Sequence, residues 1–300
     1  MGIIESQTIW STDLNFLNDA SEGKLARQTF QDVLYPHFLE EVKQRIKTGH
    51  INADMIEAEG GLEYLVKQEI EIMVNICCKS MGGSFYVTSL CGKRSNEVYE
   101  RENGMLSQWR GYGPDGGIAF VLNTRKLEEA LRMEADEFAL SLGMGNALYH
   151  FDGEEDDLKE DFSIICENFV NFAMAQFKRT YFGEEAPNDE ISKNGYEAVF
   201  QGITRLKHQG FKEEKEVRIY SHRLLLDEHP EDKKPKPVKF RVPAVPYIEL
   251  FSSDKIILPI EKIIVGPHQD KERRAEGLRI MLKEKKMDIK VTISETPYIG

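Results

Sequence analysis

The run Glu213-Glu214-Lys215-Glu216-Val217-Arg218-Ile219-Tyr220 restricts the fold of this chain more than any other stretch. Its alternation predicts a β-strand from about Glu214 to His222. Val217 and Ile219 then occupy one half-buried face, and Glu214, Glu216, Arg218 and Tyr220 share the other, because side chains two apart point the same way. Two carboxylates at that spacing repel each other. They must be solvated, paired with Arg218, or used against a cationic transition state. A solvated outer face with an Arg218 salt bridge is the plain reading. The sharper one is sugar-transfer chemistry, with one carboxylate steadying an oxocarbenium-like centre and the other activating the nucleophile.

Periodicity elsewhere predicts a mixed chain. Gln7 to Thr12 reads as a short strand, Glu22 to Lys47 as a helix broken at Pro36, and Leu62 to Met81 as a second helix. Ser84 to Leu90 and Ile118 to Leu122 read as strands, Thr124 to Ala135 as a helix, and Phe138 to His150 as strand or loop. Two amphipathic helices follow, Asp156 to Tyr181 and Asp189 to His208. Beyond the acidic strand come strands at Val238 to Ser252, Ile260 to Gly266 and Asp288 to Glu295, with a helix from Gln269 to Lys285. There is no internal repeat and no long linker, and the charged, proline-rich segment 228–239 suits a hairpin loop better than a domain boundary. These elements predict one α+β domain over residues 1–300.

Apolar residues make up 41% and charged residues 30%, ordinary values for a soluble globular protein. A formal charge of −12 argues against indiscriminate coating of nucleic acid or anionic membrane. Cys77, Cys78, Cys91 and Cys166 show no ligand spacing, and none of the seven histidines sits in a HExxH-like pair, so no metal is expected. Reduced thiols, no secretion signal and no apolar run of membrane-spanning length predict a cytoplasmic location without a membrane partner. The run from Lys233 to Lys239 reads as a solvated loop or as a lure for a polyanion.

A second constellation runs from Leu106 to Phe120. A helix end bearing Trp109, Arg110 and Tyr112 meets a turn with four glycines and enters a strand. Trp109 or Tyr112 could stack on a flat ring, Arg110 could bind a phosphate or carboxylate, and the glycines could let a ligand approach backbone N–H groups. Equally, Trp109 could be core and the glycines a simple turn. Near the start, Asn18, Asp19 and Ser21 suit turn and helix-cap roles.

In this order the segments resemble the DUF2971 family. Ser11-Thr12 with Leu17 to Glu22 resembles its "NDPxE" opening, with Ala20 in place of proline. Met105 to Phe120 resembles its "W-x-x-Y…G-x-x-x-x-F" core, with Gly116 where histidine is frequent. Glu214 to Arg218 resembles its "E-x-E-x-R" strand, with Phe211 near the usual tryptophan, and the ending from Ile263 to Tyr298 is similar too. DUF2971 proteins resemble ADP-ribosyltransferases. The resemblance implies a split mixed β-sheet core of that type surrounded by helices, with helical insertions at about 22–81 and 124–209. It implies NAD as substrate, Glu216 on the nicotinamide-ribose hydroxyl and Glu214 on the acceptor. Ser11, Thr12, Asn18, Trp109, Arg110, Tyr112 and Arg218 are then the NAD-side residues, Arg218 also serving as internal counter-charge. The first strand lacks the early His or Arg of the usual transferase triads. The implied setting is a bacterial toxin or anti-phage effector, modifying RNA, DNA or protein and neutralised by an antitoxin protein. An NAD glycohydrolase and a non-catalytic nucleotide-binding module are the alternatives.

Overall fold

The computed structural model describes residues 2–17, 22–58, 60–92, 98–149, 156–223 and 232–297. In chain order the elements are α1 (Gly2–Ser6), β1 (Ile9–Asp13), α2 (Glu22–Lys47), α3 (Ala53–Ala58), α4 (Leu62–Ser80), β2 (Ser84–Cys91), α5 (Val98–Asn103), α6 (Leu106–Tyr112), β3 (Ile118–Leu122) and α7 (Thr124–Glu137). There follow β4 (Leu140–Asn146), β5 (Leu148–Tyr149), α8 (Asp156–Phe182), α9 (Asp189–Arg205), β6 (Leu206–Lys207), β7 (Glu216–Arg223), β8 (Lys239–Arg241), β9 (Val245–Leu250), β10 (Ile260–Val265), α10 (Lys271–Glu284) and β11 (Lys290–Ile293). The α+β class expected from the sequence is what the chain adopts.

Six strands form an antiparallel sheet in the order β4-β7-β2-β1-β9-β8. A second, mixed sheet runs β11-β10-β3, parallel between β10 and β11 and antiparallel between β10 and β3. The register of the large sheet sorts its side chains. Thr12, Val87, Tyr220 and Gly143 stand opposite one another on one face, and Ser11, Ile248, Ile219 and Met144 belong to the other.

Helices cover both faces, but unequally. On the Tyr220 face, α2, α3, α4, α8 and α9 bury Phe30, Phe38, Phe169 and Phe177 against Val87 and Tyr220. The rings of Phe30 and Phe169 stack at 4.0 Å, and those of Phe38 and Phe177 lie 4.4 Å apart. On the Ile219 face, Leu127, Ala130 and Leu131 of α7 join Tyr86, Ile248, Leu250 and Phe251. The helical region expected over 124–209 is therefore divided between opposite faces. A third cluster, built on Ile263, Val265, Leu278 and Leu282, seats α10 on the small sheet and takes in Ile4 of α1.

Two local expectations are corrected. The helix α2 is continuous through Pro36. The proline is exposed, so its ring meets water, while Phe30, Leu34, Phe38 and Val42 on the buried side are at most 1% exposed. Burying each such side chain stabilises by roughly 1.5–3 kcal/mol, and together they outweigh the ~3 kcal/mol cost of an interior proline.

The lysine-rich segment is not a free lure. Lys236 is 1% exposed, ion-paired with the fully buried Glu134, bonded to Ser252 Oγ at 2.8 Å and set 3.7 Å over the Phe138 ring. Lys234 pairs with Glu137 at 3.0 Å, Lys239 with Glu249 at 2.6 Å, and Lys233 donates to the Ala135 carbonyl at 2.7 Å. Residues 228–231 of the expected hairpin loop lie outside the described residues.

Candidate functional site

The acidic strand begins later than its alternation predicts. Gln209–Glu214 is a 3-10 turn, Lys215 is left-handed at φ 45°, and β7 starts at Glu216. A left-handed residue breaks the two-residue repeat, so Glu214 does not share a strand face with Glu216. The carboxylates nevertheless meet. Lys207, at the end of β6, places Nζ 2.7 Å from Glu214 Oε2 and 2.7 Å from Glu216 Oε2.

Glu216 is held from a second side. Arg218 donates from Nε to Oε1 at 2.9 Å and from Nη2 to Oε2 at 3.2 Å, while its Nη1 donates to the Thr204 carbonyl at 2.8 Å. Glu216 is 2% exposed and Arg218 1%. The solvated-face reading therefore fails for both, and pairing takes its place. Burial pushes the Glu216 carboxyl up, but Arg218, Lys207 and the Ser89 hydroxyl outweigh it and hold the group below the ordinary glutamate value. Burial lowers Lys207, and the two carboxylates more than reverse that, so it stays protonated. Two cations and two anions form one neutral knot.

The rim comes from segments distant in sequence. Tyr112 at the end of α6 brings its hydroxyl 3.4 Å from Glu214 Oε1. Phe211 lies under Lys207 with Nζ 4.8 Å from the ring centroid, and Tyr149 Oη accepts the Glu216 backbone N–H at 2.9 Å. The Glu214 side chain is 21% exposed, so solvent reaches this carboxylate and scarcely reaches Glu216. Cys91 ends β2 opposite Glu216. Desolvation first, and then Glu214, Glu216 and Glu100, push its thiol up to about 11, which removes it as a thiolate nucleophile at neutral pH.

Of the residues singled out in the sequence, Glu214, Glu216, Arg218 and Tyr112 come together, and Arg110 is exposed on the same helix as Tyr112. Thr12 shares the Glu216 face but is buried in the row of Val87 and Tyr220. Ser11 does not join them. It points to the opposite, apolar face beside Ile248, is fully buried, and its hydroxyl finds no partner among the described residues.

Trp109 does not join them either. It is 5% exposed, donates Nε1–H to the Asn103 carbonyl at 2.9 Å, and is packed so tightly that a Cβ on Gly104 or Gly266 would lie 2.8 Å from its ring. Core, not ring-stacking, is its place. The glycine turn after α6 is closed by its own bonds, Gly116 N–H to Gly113 O and Gly266 N–H to Gly117 O, and Arg274 caps the Asp115 carbonyl. Asn18, Asp19 and Ser21 lie outside the described residues.

Sequence reasoning missed Lys207 and Tyr149, and noted Phe211 only as standing near the family's usual tryptophan, with no role at the site. One signal could have found a residue such as Lys207: two carboxylates beside a single arginine leave one negative charge over, and burial of that charge demands a second cation.

Among the described residues no three His, Cys, Asp or Glu side chains converge as a metal-ligand set, and no helix is long and apolar enough to cross a membrane. No curated protein and no solved structure matches the chain. Residues 108–219, which hold Trp109, Tyr112, Lys207 and the Glu214–Glu216–Arg218 knot, match the model of the family described as "Protein of unknown function (DUF2971)".

Proposed function

We propose that this knot is the reaction centre of an NAD-dependent ADP-ribosyltransferase on a split-sheet fold of that type. One observation supports it above the rest: Glu214 and Glu216, separated by a left-handed turn, converge on Lys207 beside a tyrosine hydroxyl from 102 positions away. In the reaction the bond between nicotinamide and the ribose C1″ breaks, and its electron pair leaves with neutral nicotinamide. The acceptor nucleophile bonds to C1″ and gives its proton to Glu214, the carboxylate that solvent reaches. Glu216 is kept ionised by Arg218 and Lys207; only when Lys207 turns away from it does the carboxylate carry the excess negative charge that favours the cationic centre and become free for the ribose hydroxyl. The acceptor is a macromolecule, and a toxin or anti-phage role with a protein antitoxin fits such chemistry.

A second reading has its own observation. Glu216 is nearly inaccessible and its two oxygens already accept three N–H bonds, which suits a catalytically silent ion network in a nucleotide-binding module. Incubation with labelled NAD and cell extract separates the possibilities. Label on protein, DNA or RNA that disappears in Glu214→Gln supports transfer. Free ADP-ribose alone means a glycohydrolase with water as acceptor. Intact NAD under all conditions sinks the enzymatic readings.

A further inference from the structure

The open end of the Glu216 face carries an exposed aromatic residue that the carboxylate knot does not use. Trp10 of β1 is 47% exposed and leans on Tyr247 of β9, the ring centroids 4.6 Å apart at 35°. Trp10 stands opposite Glu249, and Ser89 of β2 stands opposite Arg218 of β7. Ser89, on the strand between those of Trp10 and Arg218, is also exposed. Trp10 and Arg218 lie two strands apart, about 10 Å at the usual strand spacing. On the other side of Trp10 the edge strand β8 adds Lys239 opposite Tyr247 and Arg241 opposite Val245, both exposed.

We propose that this face binds a nucleotide unit, with its base stacked on Trp10 and its phosphate directed to Arg241 and Lys239. An exposed indole supported by a second ring is a platform for any flat base, and base–aromatic stacking tolerates all sequences. Lys239 and Arg241 on the edge strand give this part of a chain of net charge −12 a local attraction for phosphate, and the exposed indole adds the flat face that a base needs. Glu249 holds Lys239 at 2.6 Å and so moderates the attraction. That the bound nucleotide belongs to the acceptor, making the modified macromolecule a nucleic acid, rests on the transferase reading; the binding does not.

The test is titration without NAD. Trp10 and Trp109 are the two tryptophans, and Trp109 is buried, so the quenchable emission comes from Trp10. AMP, a six-nucleotide single-stranded oligonucleotide and ribose 5-phosphate are compared. Quenching by AMP or the oligonucleotide, with none by ribose 5-phosphate, is expected, and the relative affinities tell free nucleotide from strand. Trp10→Ala should weaken binding at least tenfold by calorimetry with an unchanged melting temperature, and Trp10→Phe should keep most of it. Arg241→Gln should weaken binding several-fold and reduce its salt dependence, and Glu249→Gln should tighten it. No binding of AMP or oligonucleotide to the wild type, or equal affinity in Trp10→Ala, overturns the proposal. A chain that stacks AMP on Trp10 but leaves NAD intact keeps this site and loses the transferase. One that consumes NAD while Trp10→Ala binds AMP normally loses this site alone.

Discussion

The hydroxyl of Tyr112 lies 3.4 Å from Glu214 Oε1 although 102 positions separate the two residues. The contact joins the helix-and-glycine segment to the acidic segment, the two parts of the chain that look most like chemistry. Both partners are solvent-accessible, so the contact marks the mouth of the knot and does not hold it together. Tyr112→Phe should leave unfolding free energy within about 0.5 kcal/mol of wild type in urea melts. A larger loss would show that the mouth is structural.

Lys207 behaves in the opposite way. Lys207→Met leaves two neighbouring carboxylates with Arg218 as their remaining close cation. Breaking a buried pair from one side costs about 3–5 kcal/mol, and the same order of loss is expected in chemical denaturation. Adding Glu214→Gln to that variant should recover part of the loss, because it removes the surplus charge. A double variant no more stable than Lys207→Met would deny the coupling.

Acid should weaken the fold through Glu216. Its carboxyl lies below the ordinary value of 4.5 in the folded chain, so the unfolded chain binds the proton more readily. The resulting stabilisation is fully present above about pH 4.5 and is lost as pH falls through the lower, folded value. Glu216→Gln should therefore flatten the decline of the melting temperature below pH 4.5. An unchanged acid limb would place the sensitivity in other carboxylates.

The buried Glu134–Lys236 pair offers a different contrast. Burial pushes the Glu134 carboxyl up and the Lys236 amine down, while each opposes the shift in the other. Either Glu134→Ala or Lys236→Met alone should cost about 3–5 kcal/mol, since each strands one polar group away from water. A double apolar replacement of similar volume should cost far less. If the three variants are equally unstable, packing and not charge dominates there.

Trp109→Ala should lower stability by about 3–5 kcal/mol while leaving nucleotide binding at Trp10 intact, as a core residue requires. A loss of ligand affinity without a loss of stability would return Trp109 to the binding site.

Much of the architecture could be read along the chain because it is periodic. The apolar spacing of α8, α9 and α10, the alternation of β7 and the short apolar run of β10 place these elements within a few residues. Pro36 misled because local propensity says nothing of what the other side of a helix packs against. The sequence also made Glu214 a strand neighbour of Glu216, since no residue letter announces that Lys215 is left-handed. The site was legible where charges cluster in sequence and illegible where the chain folds back. Lys207 comes from the end of a helix pair, and Tyr112 and Trp10 become neighbours of the acidic segment only through tertiary and strand pairing. Ser11 and Thr12 differ by one position, and that parity alone sends them to opposite faces of the sheet.

The strand that carries the knot lies inside its sheet, between β2 and β4. From Val217 to Arg223, β7 is thus paired on one side with chain some 130 positions earlier and on the other with chain some 80 earlier. Such pairing raises the mean sequence separation of contacts, and loop-closure entropy makes it slow to nucleate. A nascent chain cannot display a working pair of carboxylates before residues near 223 have emerged and both flanking strands are in register. Under the proposed toxin reading, that delay would be an interval during which a neutralising partner could arrive first.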